Sequence, residues 1–227
     1  MTEDVIVVPT FNGKCHLEKL MANMPTDTDI LVIDTGSTEQ ETLDFIKELP
    51  ELYPEHAIKT DRTPFRGRPY GALLWAYWMY PEYTGFMLMH DSLEILEQDF
   101  LHQFKACMPK IPSKGCVAWI LHSFFFDDDR QGQCFRYLIG NETPPYLIFG
   151  PIFYTNRASL DDLYYKDLLP SYPMNKHQDQ GIERGVAMAF YHAGLQIETL
   201  CGTNGVVAIP GTSLSNKVFK KTWAASK

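Results

Sequence analysis

The chain has 227 residues, 45% hydrophobic and 21% charged. This is the composition of an ordinary globular protein with enough chain for one large domain. A net charge of −8 argues against an open nucleic-acid-binding face, which needs a basic footprint. No apolar run approaches the roughly 20 residues that span a bilayer. The start MTEDVIVVPT lacks the basic region and cleavage site of a signal peptide, so a soluble, cytoplasmic chain is expected. The five cysteines (Cys15, Cys107, Cys116, Cys134, Cys201) are scattered, with no zinc or CxxC spacing, and are read as free, mostly buried thiols.

VIVVP (5–9) predicts a first strand, and GKCHLEKLMANM (13–24) has apolar residues at helical spacing. ILVID (30–34) predicts a second strand. A helix is expected over 38–49, with Ser37 and Thr38 as candidate caps and Glu41 placed for a capping box. HAIKT (56–60) is a weaker third strand, followed by the aromatic-rich helix PYGALLWAYWMY (69–80). TGFMLMH (84–90) predicts a fourth strand, 96–108 a helix and GCVAWIL (115–121) a fifth strand.

This alternation implies an α/β fold with a mostly parallel sheet and helices on both faces. Strands that are apolar throughout fit burial on both sides. Beyond 121 the pattern is less regular. Residues 122–140 suggest a strand, an acidic loop and a strand; 141–154 are turn-rich, then apolar. Residues 159–175 suggest a short helix and a loop, and 176–195 a helix closed by Gly194. No repeat or linker divides the chain, so a single domain over 1–227 is expected.

In such sheets ligands sit outside the carboxyl ends of the strands. The residues there are Pro9-Thr10-Phe11-Asn12, Asp34-Thr35-Gly36-Ser37, Asp61-Arg62 and His90-Asp91-Ser92. All four groups are polar or turn-forming and can line one crevice. The first can cradle a nucleotide, with Phe11 offering a flat face to a base, or be a plain βα loop. Asp34 can accept N–H groups from a base edge, and Gly36 suits the tight turn that follows. RTPFRGRPYGALL holds Arg62, Arg66 and Arg68 before a helix, a basic spot that suits phosphate or surface ion pairs. Asp91 can ligate a hard divalent ion together with diphosphate oxygens, and a His90 ligand tilts the choice toward Mn²⁺. The same two residues also read as a hydrogen-bonded strand end. Asp179 and Glu183 share one helix face, either as candidate bases or as charges complementing the helix dipole. FDDDR (126–130) contains a literal Asp-x-Asp, Asp127 and Asp129, that reads as a solvated loop.

In order, these segments resemble the GT-A-fold glycosyltransferases, in particular the inverting family-2 type. VVPTFNG resembles the family's first turn, and LVIDTGSTEQET its "VVDDGSTD" segment, the closest match. RGRPYGALLWA resembles the glycine-containing helix start and FMLMHDS the strand ending in Asp-x-Asp. FGPIFYTNRASL, with Arg157, is similar to the later "GG…R" segment, and HQDQGIERGVAMAFYHAGL to the "ED" helix. The resemblance covers about residues 4 to 200 and departs in two places. Leu93 stands where a second carboxylate would complete Asp-x-Asp, and Gln178 replaces the Glu before Asp179.

The resemblance implies donor binding by Pro9, Thr10, Phe11, Asn12, Asp34, Gly36, Arg66, Arg68, Gly71, His90, Asp91 and Ser92. It implies a divalent ion, Mn²⁺ or Mg²⁺, at Asp91 and His90, and Asp179 as the general base. Residues 1–110 would form the nucleotide-sugar half and 111–227 the acceptor side. The expected activity is inverting transfer of a sugar from a nucleotide-diphosphate donor to a hydroxyl acceptor. The alternatives are a nucleotide-sugar-binding protein without turnover, or a sugar nucleotidyltransferase.

Overall fold

The computed structural model describes residues 3–64, 68–109, 113–123, 146–148, 150, 152–169, 176–201, 203–204, 213–215 and 218–222. The first half alternates strand and helix: β1 (Asp4–Thr10), α1 (Lys14–Met21), β2 (Asp29–Asp34), α2 (Gln40–Leu52), β3 (Ile58–Arg62), α3 (Arg68–Met79), β4 (Gly85–Leu88). Next come β5 (Leu93–Ile95), α4 (Phe100–Cys107), β6 (Gly115–Ala118), β7 (Leu121–Ser123), β8 (Tyr146–Ile148), β9 (Phe153–Asn156) and α5 (Arg157–Tyr165). The described residues close with α6 (Lys176–His192), β10 (Gln196–Thr199), β11 (Thr203–Asn204), β12 (Ser213–Ser215) and β13 (Phe219–Thr222).

Seven strands form the central sheet in the order β10-β6-β9-β4-β1-β2-β3. All pairings are parallel except those of β9, which runs antiparallel between β4 and β6. Because side chains alternate along a strand, β1 feeds two cores. Val5 and Val7 point to the layer that contains α3, α5 and α6; Ile6 and Val8 point to the layer that contains α1, α2 and α4. All four are fully buried, which explains why the strand shows no polar alternation. The mostly parallel sheet with helices on both faces is therefore as expected.

Several local expectations are corrected. The fourth strand is shorter than 84–90: Met89 N–H still reaches Val7 O at 3.1 Å, and the chain then turns at His90. Leu93–Ile95 is a strand, so the helix expected from 96 begins only at Phe100. The run 115–121 is divided between two sheets, β6 in the central one and β7 in a small sheet with β8 and β11. At the break Trp119 N–H bonds Ile152 O at 2.9 Å while its ring is buried in the core.

The capping box at Ser37, Thr38 and Glu41 does not form. Helix α2 opens at Gln40 with Glu39 as N-cap and no side-chain cap bond. The amides of Thr38 and Glu39 donate instead to Asn12 Oδ1 at 2.8 and 3.1 Å. A partner 26 residues away has taken the place of the local one.

Gly194 closes α6 as expected. It sits at φ 72°, and Leu195 N–H to Phe190 O and Gly194 N–H to Tyr191 O complete a Schellman motif. Among the described cysteines Cys116 is buried, Cys107 and Cys201 are partly buried and Cys15 is exposed, all as free thiols. Cys134 lies outside the described residues. Among the described residues no helix is long and apolar enough to cross a membrane.

Candidate active site

The carboxyl ends of β1, β2 and β4 open into one cleft of about 410 Å³, within the range of ligand pockets. It is lined by Pro9, Thr10, Phe11 and Asn12 from the β1 turn, and by His90, Asp91 and Ser92 after β4. Seven of the residues expected at the site thus share one cavity. Phe11 is 44% exposed, so its ring is available to a ligand.

Two hydrogen-bonded ties hold the three strand ends together. Thr10 O accepts from both the amide and the hydroxyl of Thr35, each at 2.9 Å, joining β1 to β2. The Thr10 hydroxyl donates to Asp91 Oδ2 at 3.0 Å, joining β1 to the turn after β4. Gly13 permits this approach. A Cβ there would lie 2.5 Å from Asp91 Oδ2 and 2.9 Å from Thr10 Oγ1, inside contact distance of both. Asn12 adopts φ 49°, a left-handed conformation that Asn tolerates better than most residues. Its amide donates to Ser37 Oγ at 2.9 Å while its side chain caps the turn before α2.

Asp34 is buried at 2% exposure and lies behind the cleft wall, where Thr35 is the lining residue. Its Oδ1 accepts from Ser37 and Gly36 amides at 2.8 and 3.2 Å, which shapes the turn that carries Gly36 at φ 106°. Asp34 Oδ2 has no hydrogen bond and faces Arg62 Nε at 3.3 Å. Arg62 also donates to Ser37 O at 3.2 Å. This arginine therefore braces the β2 turn. Asp61 points elsewhere too, with its carboxylate accepting from Trp75 Nε1 at 2.7 Å and Tyr80 OH at 3.0 Å in and beside α3. The third strand end is structural and does not join the crevice.

The remaining expected residues are placed by backbone. Arg68 opens α3, and Gly71 follows in its first turn, where an added Cβ would meet nothing within 4 Å. Asp179 lies in the first turn of α6. Arg66 and the FDDDR segment lie outside the described residues. Arg157 is far from the cleft in function: it donates to the carbonyls of Tyr77, Tyr80 and Tyr83 at 2.7–2.9 Å and so closes the end of α3.

Five lining residues lie beyond those seven: Gly13, His16, Thr35, Pro69 and Lys221. Gly13 was legible as the next residue after PTFN. Lys221 had no local signal, because it arrives on a strand from the far end of the chain. Its Nζ donates to Ser92 Oγ.

Burial pushes the Asp91 carboxyl above the usual carboxylate range. The Thr10 hydroxyl, the neighbouring His16 and Lys221, and the Ser92 amide pull it back. Among the described residues no group of three or more His, Cys, Asp or Glu side chains converges as a metal cluster. Asp91 and His90 are a carboxylate and an imidazole at one edge of the cleft. That donor set fits an ion that takes the rest of its shell from diphosphate oxygens and water.

By its likeness to solved glycosyltransferase structures, this mostly parallel sheet with one antiparallel strand has the GT-A fold. Three solved structures share it. Residues 1–349 of TarS from S. aureus superpose with a TM-score of 0.57 and 16% identity over 99% of this chain and 60% of that one. The mannosyltransferase PcManGT from Pyrobaculum calidifontis, solved with GDP-Man and Mn²⁺, gives 0.55 and 18% over 90% and 57%. GalNAc-T7, solved with UDP, GalNAc and Mn²⁺, gives 0.58 and 14% over 89% and 43%. TarS 1–349 has also been solved with UDP-GlcNAc. The chain thus spans between 43% and 60% of the length of these three neighbours. No protein-family model matches the sequence, and no curated protein does.

Proposed function

We propose that the chain transfers a sugar from a nucleotide-diphosphate donor to a hydroxyl acceptor, with inversion at the anomeric carbon. The observation that carries this reading is the single cleft at the ends of β1, β2 and β4, tied by the Thr10–Asp91 bond, on a GT-A fold. The nucleotide sugars held by the neighbours support the donor class.

On this reading Pro9, Thr10, Phe11 and Asn12 bind the nucleoside, with Phe11 against the base. Asp34 and Gly36 hold the turn that completes that wall, Asp34 from behind it. The diphosphate lies toward His90, Asp91 and Ser92, with Arg66, Arg68 and the α3 start around Gly71 offering positive charge. Asp91 and His90 would hold a divalent ion, Mn²⁺ or Mg²⁺, which supplies positive charge to the departing diphosphate. Asp179 takes the acceptor's proton as its oxygen bonds to the anomeric carbon and the bond to the diphosphate breaks. Residues 1–110 form the donor half and 111–227 the acceptor side.

Asp179→Asn tests the assignment: transfer should fall by about 10²–10⁴-fold while nucleotide affinity is retained. Turnover within a few-fold of the parent would remove Asp179 from the role. A screen of UDP- and GDP-sugars, read by nucleotide release, identifies the donor. The second reading is a nucleotide-sugar-binding protein without turnover, favoured by the absence of a three-ligand metal cluster among the described residues. Tight calorimetric binding of UDP or GDP with Mn²⁺, and no donor hydrolysis or transfer, would select it.

A further inference from the structure

The C-terminal strand brings a cation into the cleft. β13 runs antiparallel to β5, with Lys221 opposite Leu93 and Lys220 opposite Glu94. Period two places Lys221 on the same face as Phe219. The Phe219 ring is fully buried, 5.0 Å from the Phe100 ring and 5.7 Å from that of Trp119. Lys220, on the other face, pairs with Glu94 at 2.9 Å beside an adjoining cavity and does not line the cleft itself. Lys221 therefore stands on the inward face of the strand, at the point where core gives way to cavity. Its Nζ meets Ser92 Oγ, and its charge acts on the neighbouring Asp91. Ordering a lysine there costs up to about 2 kcal/mol of side-chain entropy. A diphosphate would offset that cost readily.

We propose that Lys221 binds the donor diphosphate and stabilises it as the leaving group, a source of positive charge separate from any metal ion. This rests on the nucleotide-sugar reading above. As the bond from the anomeric carbon to the diphosphate oxygen breaks, its electron pair stays on that oxygen. The Lys221 ammonium, a compact phosphate-binding charge, donates N–H groups to the phosphate oxygens and keeps its own proton. Lys221 adds positive charge beside Asp91 and His90, at the edge of the cleft where the diphosphate is placed.

Calorimetry on the full chain tests this, with UDP, GDP, uridine and guanosine as probes, in EDTA and in Mn²⁺. The parent should retain binding of one diphosphate in EDTA. Lys221→Met should weaken that binding by about tenfold to a hundredfold, the worth of a hydrogen bond to a charged group. Binding of the matching nucleoside should be unchanged in Lys221→Met, which also reports that the cleft is folded. Lys221→Arg should restore much of the loss, and Lys220→Met should show none. Equal diphosphate affinity in the parent and Lys221→Met, or parent binding that vanishes in EDTA, overturns the role of Lys221. Failure of the parent to bind any of the four probes, with or without Mn²⁺, overturns the nucleotide-sugar reading as well.

Discussion

Asp91 meets two opposing demands. Its carboxylate is half-buried and burial raises its pKa, yet the proposed chemistry needs it ionised. A carboxyl whose pKa rises on folding binds its proton more tightly in the folded state. Its contribution therefore favours folding below the unfolded value, about pH 4, and is lost as pH rises through the higher folded value. At neutral pH the ionised group is a net cost to the empty protein. Asp91→Asn keeps an acceptor for the Thr10 hydroxyl and removes that cost. The variant should melt higher than the parent at pH 7 without nucleotide, and the difference should shrink toward pH 4. It should also lose any gain in nucleotide affinity from Mn²⁺. Melting curves that are offset equally at both pH values would contradict the account.

The elements are held in place by side chains that reach across from their neighbours. Asn12 caps the turn before α2, and Asp34 shapes the same turn from below. Arg157, on α5, closes α3 by donating to Tyr77 O, Tyr80 O and Tyr83 O, and its guanidinium lies 4.9 Å from the Tyr77 ring. A lysine cannot satisfy three carbonyls in that fixed fork. Arg157→Lys should destabilise the fold by about 2–3 kcal/mol in denaturant titrations, as hydrogen bonds to a charged group are lost. Nucleotide affinity should be unaffected, because the residue braces the helix away from the cleft. A change in affinity without a change in stability would place Arg157 at the ligand. The element order and the βα turns after β1 and β2 were legible from apolar runs and turn residues. The capping partner was not, because Ser37, Thr38 and Glu41 satisfy a local rule that Asn12 and Asp34 override from a distance.

At the scale of the molecule the C-terminal strand belongs to both the core and the site. Phe219 packs against Phe100, Phe104 and Trp119, and two residues on Lys221 lines the cleft. Phe219→Ala should destabilise the fold by about 3–5 kcal/mol, as for a large buried aromatic. It should weaken nucleotide binding too, because the strand that carries Lys221 is seated by that ring. Unchanged stability in denaturant would show that β13 is not part of the core. The amino-acid sequence by itself determined the mostly parallel α/β sheet, since strands apolar on both faces alternate with amphipathic helices. It also determined that PTFN and HDS stand at strand ends, because each interrupts an apolar run with polar and turn residues. Only the tertiary structure decided that Asp61 and Arg62 brace neighbouring elements, that Gly13 clears space for Asp91, and that Lys221 enters from the far end of the chain. Those outcomes depend on contacts between distant residues, and neither periodicity nor local turn chemistry encodes which distant side chain arrives.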